Sequence, residues 1–188
     1  MDEALLIFLR DLMEMRDTLI ERLAPEIEFS AQLASSCLTN DGKIFTLGAG
    51  DSSHIASLFE RQLIDQYRIE RPNLPCIALS EGDHSADKES FSASQLKALA
   101  KPDDCLIVFS SLREDHRLQA LLDIAIDRGL TIVLIGPASS SGLKQQLQDN
   151  DLDISIDVTH KAHLLDCQLS IALAIAGLID FQLFGSDL

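Results

Sequence analysis

Short apolar blocks rich in β-branched residues alternate with helical stretches from residue 42 onward, and this alternation restricts the possible fold more than any other feature. Five blocks have the character of strands: KIFTL, PCIALS, DCLIVFSS, LTIVLIG and DISIDV. The third and fourth are apolar on both faces, as in parallel strands that helices cover above and below. The pattern predicts an α/β fold, a doubly wound five-stranded parallel sheet flanked by helices.

An N-terminal helical hairpin is expected to precede the sheet. Apolar residues recur at intervals of three and four over the first 23 residues, which is the helical period, and Pro25 then interrupts the pattern. Pro25 suits the first turn of a second helix, which ends at the turn signal TNDG of residues 39–42. We expect a single domain over 1–188, with N-terminal helices in 1–40 and the α/β sandwich in 41–188.

Charge and hydropathy exclude several classes of function. The net charge of −15 argues against a nucleic-acid-binding surface, which needs clustered lysine and arginine. No apolar run reaches the roughly 18 residues of a membrane span, and acids at the N-terminus do not fit a secretory signal. A cytoplasmic protein that binds a small ligand or a protein partner is expected. Four widely spaced cysteines, without a C-x-x-C pair, predict buried reduced thiols. No cofactor is expected.

A glycine turn follows the first strand, in the stretch KIFTLGAGDSS. Gly48 and Gly50 could allow backbone N–H groups beside Asp51, Ser52 and Ser53 to face an anion at a helix N-terminus. The turn lacks the third glycine of a dinucleotide fingerprint and the Gly-Lys-Ser/Thr of a P-loop. Asp51 would repel a phosphate unless a cation neutralises it. The alternative is a structural bend in which Asp51, Ser52 or Ser53 caps the helix.

The polar segment EGDHSADKESFSAS follows the second strand. Loops at the carboxyl ends of parallel strands are where such folds bind ligands, so this segment is a second candidate for ligand contact. A solvated connection without a function is the alternative.

The stretch from DGKIFTLGAGDSS to ERPNLPCIALS resembles the sugar isomerase (SIS) domain, in the group of the phosphoheptose isomerases and the DnaA initiator-associating proteins. ERPNLPCIAL, residues 70–79, is the most specific match, and GLIDFQLF near the chain end also fits. The resemblance extends from about residue 25 to residue 184. It implies a sheet in flavodoxin-like strand order, a sugar phosphate as ligand, and a homo-oligomer, dimer or tetramer, with the N-terminal helices in the subunit contacts.

Two positions that carry acid/base groups in the isomerases hold glutamine here. The resemblance places the catalytic glutamate of the family at Gln62 and the histidine of its R-I-Q-E-x-H motif at Gln168. An amide does not accept a proton from a sugar carbon, so neither position retains its acid/base group.

The serine-rich loop that holds the sugar phosphate in the family is also altered. It corresponds to Ser110, Ser111 and Arg113 followed by two acids. Two hydroxyls remain as donors, and Arg113 could pair with a phosphate. Alternatively, Arg113 and the acids form an exposed helix start.

Histidines could hold a metal or relocate the chemistry. His160 and His163 are three residues apart and could bind zinc with Asp166, although solvent-facing histidines at a helix entrance are commoner, and no metal is expected.

Three hypotheses about function remain. The first is a non-catalytic oligomeric regulatory module that resembles the initiator-associating proteins, with Leu183 and Phe184 as the contact for a replication initiator. The second is a phosphosugar isomerase whose acid and base moved to His54, Glu60 or Asp65. The third is a sugar-phosphate sensor. Leu183 and Phe184 could instead fix the last helix to the core.

Overall fold

The computed structural model describes residues 3–65, 68–79, 90–113 and 115–185. Most of the polar segment after the second strand, including His84, lies outside these residues, so its proposed contact with a ligand stays a prediction.

The N-terminal helices form one continuous helical run. Helix α1 (Glu3–Thr18) passes through a π-helical turn (Leu19–Leu23) into α2 (Ala24–Thr39). Pro25 lies in the first turn of α2, where its missing N–H costs no hydrogen bond. The chain does not leave the helix at Pro25, so the expected N-terminal hairpin is instead one helical run with a widened turn before Pro25.

Five parallel strands form the sheet, as predicted. They are β1 (Ile44–Gly48), β2 (Cys76–Ala78), β3 (Cys105–Phe109), β4 (Thr131–Pro137) and β5 (Leu152–Ile156). The order is β2-β1-β3-β4-β5, the flavodoxin-like order. Gly48 pairs in register with Phe109, and Phe109 pairs with Ile135, so the ends of the three central strands reach the same edge.

Helices cover both faces of this sheet. They are α3 (Ser53–Ile64), α4 (Phe91–Leu99), α5 (His116–Asp127), α6 (Ser141–Lys144) and α7 (Lys161–Phe184). One core cluster lies under α2, α3 and α7, and the other under α4 and α5. Helix α4 was not predicted, because it is short and its first four residues belong to the polar segment that follows the second strand.

Helix α7 is long and apolar enough to cross a membrane by length and composition alone. The expectation that no run reaches this length needs correction for this helix. Its most apolar window is 56% buried inside the protein, and the helix packs against α2 and α3. A core helix meets the same criterion, and the packing identifies α7 as one.

All four cysteines are buried and unpaired, as predicted. Burial raises the pKa of each thiol, to about 11 for Cys37 and Cys167. The thiols therefore stay protonated at neutral pH and pack as small apolar groups.

Candidate functional site

The glycine turn joins β1 to α3 at the carboxyl edge of the sheet. A Cβ on Gly48 would lie 2.2 Å from the backbone oxygen of Ser52, so only glycine allows the helix start to approach the strand end this closely. Gly50 has φ of +56°, a left-handed conformation that favours glycine. A 3₁₀ turn (Gly50–Ser52) then leads into α3. The sharp bend between β1 and α3 that the sequence predicts is therefore present.

Asp51 forms an ion pair with Lys161, the first residue of α7. Hydrogen bonding to Lys161 and its charge lower the pKa of the Asp51 carboxyl below its ordinary range. Neither Asp51 nor Ser52 forms a side-chain cap at the start of α3, so the capping alternative is wrong for these two residues. The structure therefore places a cation, the ammonium of Lys161, directly beside Asp51.

Gln168 is completely buried, and hydrogen bonds occupy both ends of its amide. The hydroxyl of Ser52 donates to Oε1 of Gln168 at 2.8 Å. Nε2 of Gln168 donates to the carbonyl oxygens of Ser110 at 2.8 Å and of Ile135 at 3.0 Å. One side chain on α7 therefore joins the glycine turn to the ends of β3 and β4.

Gln62 lies in the last turns of α3, roughly 13 Å along the helix axis from Ser53 at 1.5 Å per residue. Its side chain is half-buried, and its backbone carbonyl oxygen accepts a hydrogen bond from Nη2 of Arg71 at 3.0 Å. Gln168 contacts Ser52 at the other end of α3, so the structure places Gln62 and Gln168 at opposite ends of this helix.

The serine-rich loop after β3 contributes one buried hydroxyl to the site. Ser110 is 1% exposed, and its Oγ finds no hydrogen-bond partner within the part of the chain that the structure describes. This hydroxyl lies against Gly136, where a Cβ would overlap with it. Ser111 donates to the carbonyl of Arg113 at 3.1 Å, and the Arg113 side chain is exposed.

Asp115, which follows this loop, caps α5. Its carboxylate accepts a hydrogen bond from the backbone N–H of Arg117 at 2.9 Å. The alternative of an exposed helix start after the loop agrees with this geometry.

The histidines do not form a metal site among the described residues. His160 and His163 make an edge-to-face ring contact with centroids 5.7 Å apart. The third ligand considered, Asp166, pairs instead with Arg16 at 3.0 Å. No group of three His, Cys, Asp or Glu side chains is placed to hold a metal ion in the described ranges. His163 lines an open cleft of about 270 Å³ between α1 and α7.

A buried ion pair that could not be predicted from the sequence lies at the other end of α7. Nε of Arg71 lies 2.5 Å from Oδ1 of Asp180, and both side chains are 1% exposed. Arg71 also donates to the carbonyl oxygens of Leu63, Pro72 and Gln62. The match to ERPNLP could have drawn attention to Arg71, but nothing in the sequence names Asp180 as its partner.

Leu183 and Phe184 differ in exposure. Leu183 is partly buried and packs against the core, as in the alternative interpretation, in which it fixes the helix. Phe184 is 41% exposed, and its ring centroid lies 6.0 Å from Cζ of Arg71. Of the pair, Phe184 therefore offers the larger surface to a partner.

Comparisons with known proteins agree with this fold. The SIS domain family matches residues 7–136. A phosphoheptose isomerase from Chromohalobacter salexigens is 31% identical over 175 residues, which cover 88% of each chain. The structure of a phosphoheptose isomerase from Francisella tularensis superposes with a TM-score of 0.86 at 25% identity, covering 95% of this chain and 97% of that one.

A second phosphoheptose isomerase structure, from Neisseria gonorrhoeae, shares the fold at lower identity. Its TM-score is 0.83 at 19% identity, and the match covers 95% of this chain and 97% of that one. With the family match over more than half of the chain, these similarities settle the relationship: the chain belongs to the SIS domain family, in the group of the phosphoheptose isomerases.

Proposed function

We propose that this protein is a non-catalytic SIS-domain protein that binds a sugar phosphate or related carbohydrate derivative and acts as an oligomeric regulatory module in the cytoplasm. The state of Gln168 carries this proposal. Its amide is fully buried and hydrogen-bonded to a hydroxyl and two carbonyls of the same chain. A side chain held in this way neither exchanges protons nor turns toward a ligand.

Gln62 supports the same conclusion. Moving a proton between neighbouring sugar carbons requires a base. A neutral amide has no lone pair that is basic enough to accept this proton at neutral pH. Loss of each acid/base group removes a factor on the order of 10²–10⁴ in rate.

The alternative is an isomerase whose acid and base have moved to other residues. It depends on three side chains, which lie in three different environments. Glu60 accepts the backbone N–H of Ala78 at 2.7 Å, a structural contact to β2. Asp65 is exposed beyond the far end of α3 and lies 3.8 Å from Arg61. His54, exposed in the first turn of α3, remains near the glycine turn. A relocated mechanism would therefore depend on His54.

A turnover assay with sedoheptulose 7-phosphate tests the catalytic part of the proposal. We expect no isomerisation by the wild-type protein, with a phosphoheptose isomerase assayed in parallel as positive control. Turnover by the wild type that disappears in His54→Ala, with Asp65→Asn as the matched comparison, would overturn the non-catalytic assignment.

Ligand binding is tested by thermal unfolding with a panel of sugar phosphates. A ligand at 100 times its Kd adds about 2.7 kcal/mol to the free energy of unfolding, which is a readily measured shift. Absence of any shift with the whole panel would contradict the sugar-phosphate part of the proposal and favour a module that binds proteins only.

The first half of α1 supports assembly into a homo-oligomer, a dimer or tetramer. Five successive residues, Leu5, Leu6, Ile7, Phe8 and Leu9, are between 37% and 53% exposed. Successive helix positions are 100° apart, so these side chains surround the helix completely. A helix that is apolar all round is normally buried on all sides, and further copies of this chain would provide the cover.

Size-exclusion chromatography with light scattering tests this assembly. We expect an oligomer for the wild type and a smaller species for an Ile7→Glu/Phe8→Glu variant. Leu99→Glu, which charges an apolar residue that is 43% exposed on α4, is the control and should leave the mass unchanged. A monomeric wild type would contradict the assembly.

The replication initiator is the proposed protein partner, on the basis of the resemblance of the chain end to the initiator-associating proteins. Phe184 is the exposed candidate contact. Capture of a DnaA-type initiator should be lost in Phe184→Ala and retained in Phe91→Ala, another exposed aromatic. Equal capture by the wild type and Phe184→Ala, or capture by neither, counts against this partner.

A further inference from the structure

Two consecutive side chains of the glycine turn are both held by α7. Asp51 pairs with Lys161, and Ser52 donates to Gln168. Lys161 and Gln168 are seven positions apart, close to two helical turns, so they lie on the same face of α7. The start of α7 therefore lies along the turn at which a family ligand would bind.

The two contacts differ in their accessibility. Ser52 is 2% exposed and Gln168 is completely buried, so this contact stays closed in the folded protein. The side chains of Asp51 and Lys161 are 52% and 64% exposed. An ion pair between exposed groups is weak and can exchange partners with a solute. Only the outer contact can open without unfolding.

Asp51 lies two residues before the start of α3, and its carboxylate contacts Lys161, the first residue of α7. Neither α3 nor α7, both described along their whole length, carries an acidic residue in its first turn. Lys161 adds a positive charge to the N-terminal end of a 24-residue helix, where a cation is unfavourable and an anion is favourable. After Lys161, the charge of His54 also contributes to lowering the pKa of Asp51.

We propose that the Asp51–Lys161 ion pair is an autoinhibitory contact at the glycine turn: an anionic ligand binds there by taking Lys161 from Asp51. This inference rests on the proposed binding of a sugar phosphate at the same turn. Asp51 then determines specificity, because its charge remains near the bound anion and disfavours a phosphate dianion more than a monoanion. The affinity of the site for phosphate is set by competition within the chain.

Calorimetric titration with inorganic phosphate and with sedoheptulose 7-phosphate tests this competition. Asp51→Asn keeps the shape of the side chain and releases Lys161. We expect its affinity for phosphate to rise about tenfold, as for removal of one unit charge a few ångströms from an anion at a surface site. Lys161→Met removes the cation and should bind both probes more weakly than the wild type does.

Two matched variants control for the change in net charge. Asp127→Asn removes a carboxylate that is exposed at the end of α5, and Lys101→Met removes an exposed ammonium before β3. Both should titrate like the wild type. Thermal unfolding of each variant without ligand verifies that it is folded.

The outcomes separate this inference from the proposed function. Equal affinities of the wild type and Asp51→Asn, or weaker binding by Asp51→Asn, would overturn the autoinhibitory contact and leave sugar-phosphate binding intact. If no variant, including Asp51→Asn, binds either probe, the proposed ligand class fails, and the autoinhibitory contact fails with it. The wild type and Asp51→Asn should have equal affinities for unphosphorylated sedoheptulose, because this sugar carries no charge.

Discussion

Helix α7 is tied to α3 near both of its ends, and the two connections use opposite chemistry. Near its start, the neutral amide of Gln168 accepts from Ser52 and donates to two strand-end carbonyls. Near its end, Asp180 binds Arg71, which in turn holds the carbonyl oxygens of Gln62 and Leu63. Of these two buried connections, the charged one lies away from the glycine turn, and the neutral one lies beside it.

This difference indicates what each end of the helix contributes. A buried charge costs several kcal/mol unless it is paired, so Asp180 and Arg71 depend strongly on each other. An amide with both ends bonded carries no such cost and fixes three chain segments in place. The buried contact of α7 next to the candidate site is therefore a neutral support.

The largest effect is expected at the charged end. Asp180→Ala leaves the Arg71 guanidinium buried without its carboxylate, which should lower the free energy of unfolding by about 3–5 kcal/mol. Urea denaturation at one fixed protein concentration measures this loss. The matched control is Asp65→Ala, which breaks the exposed pair with Arg61 and should change stability by less than about 0.5 kcal/mol.

A second variant tests the mutual dependence of this pair directly. Arg71→Met/Asp180→Leu removes both charges and should be less destabilised than Asp180→Ala alone. A loss below about 1 kcal/mol in Asp180→Ala would show that the charged end is no more costly to break than the neutral one, and the comparison would then fail.

The neutral end should show the next largest effect. Gln168→Ala leaves the Ser52 hydroxyl and the carbonyls of Ser110 and Ile135 without their partner, and we expect a loss of about 2–3 kcal/mol. Gln168→Leu restores volume without hydrogen bonds and should remain destabilised. Gln182→Ala, on the exposed face near the end of α7, is the control. If Gln168→Leu is as stable as the wild type, the hydrogen bonds of the Gln168 amide do not contribute to the stability of the fold.

Two serines at the site sharpen the comparison further. Ser52 uses its hydroxyl in the Gln168 contact, so Ser52→Ala should cost about 1 kcal/mol. The Ser110 hydroxyl finds no partner among the described residues, so Ser110→Ala should change stability by less than about 0.5 kcal/mol. Reduced affinity of Ser110→Ala for a sugar phosphate, with unchanged stability, would assign this hydroxyl to the ligand. A loss of stability equal to that of Ser52→Ala would contradict this assignment.

The sequence was sufficient for the fold because β3 and β4 are apolar on both faces and the turn signals between the strands are clear. It was also sufficient for the bend at Gly48, since the turn follows a strand and precedes a helix. Helix α4 was missed because it is short and its first turn lies within the polar segment of residues 81–94. The spacing of apolar residues indicates the local secondary structure of a segment, and it predicted this structure correctly where the segment was long.

The partners within the site could not be predicted in the same way. Lys161 meets Asp51 across 110 positions of chain, and Gln168 meets Ser52 across 116. Such contacts depend on how α7 crosses the ends of the strands, which no local pattern encodes. The glutamines at 62 and 168 were recognisable as departures from the isomerases, but only the structure shows that Gln168 is bonded on all sides.

The smallest effect is expected at the exposed ion pair of the turn. Lys161 holds the pKa of the Asp51 carboxyl below its ordinary range, so the pair stabilises the fold above that range and is lost as pH falls through the lowered pKa. Because both groups are more than half exposed, the contribution to stability is small. Titration of the Asp51 carboxyl by NMR should give a lowered pKa in the wild type and an ordinary one in Lys161→Met. An unchanged pKa of Asp51 in that variant would mean that another group, such as His54, lowers it. The exposed contact of α7 with the turn would then not differ from the buried one through the charge of Lys161.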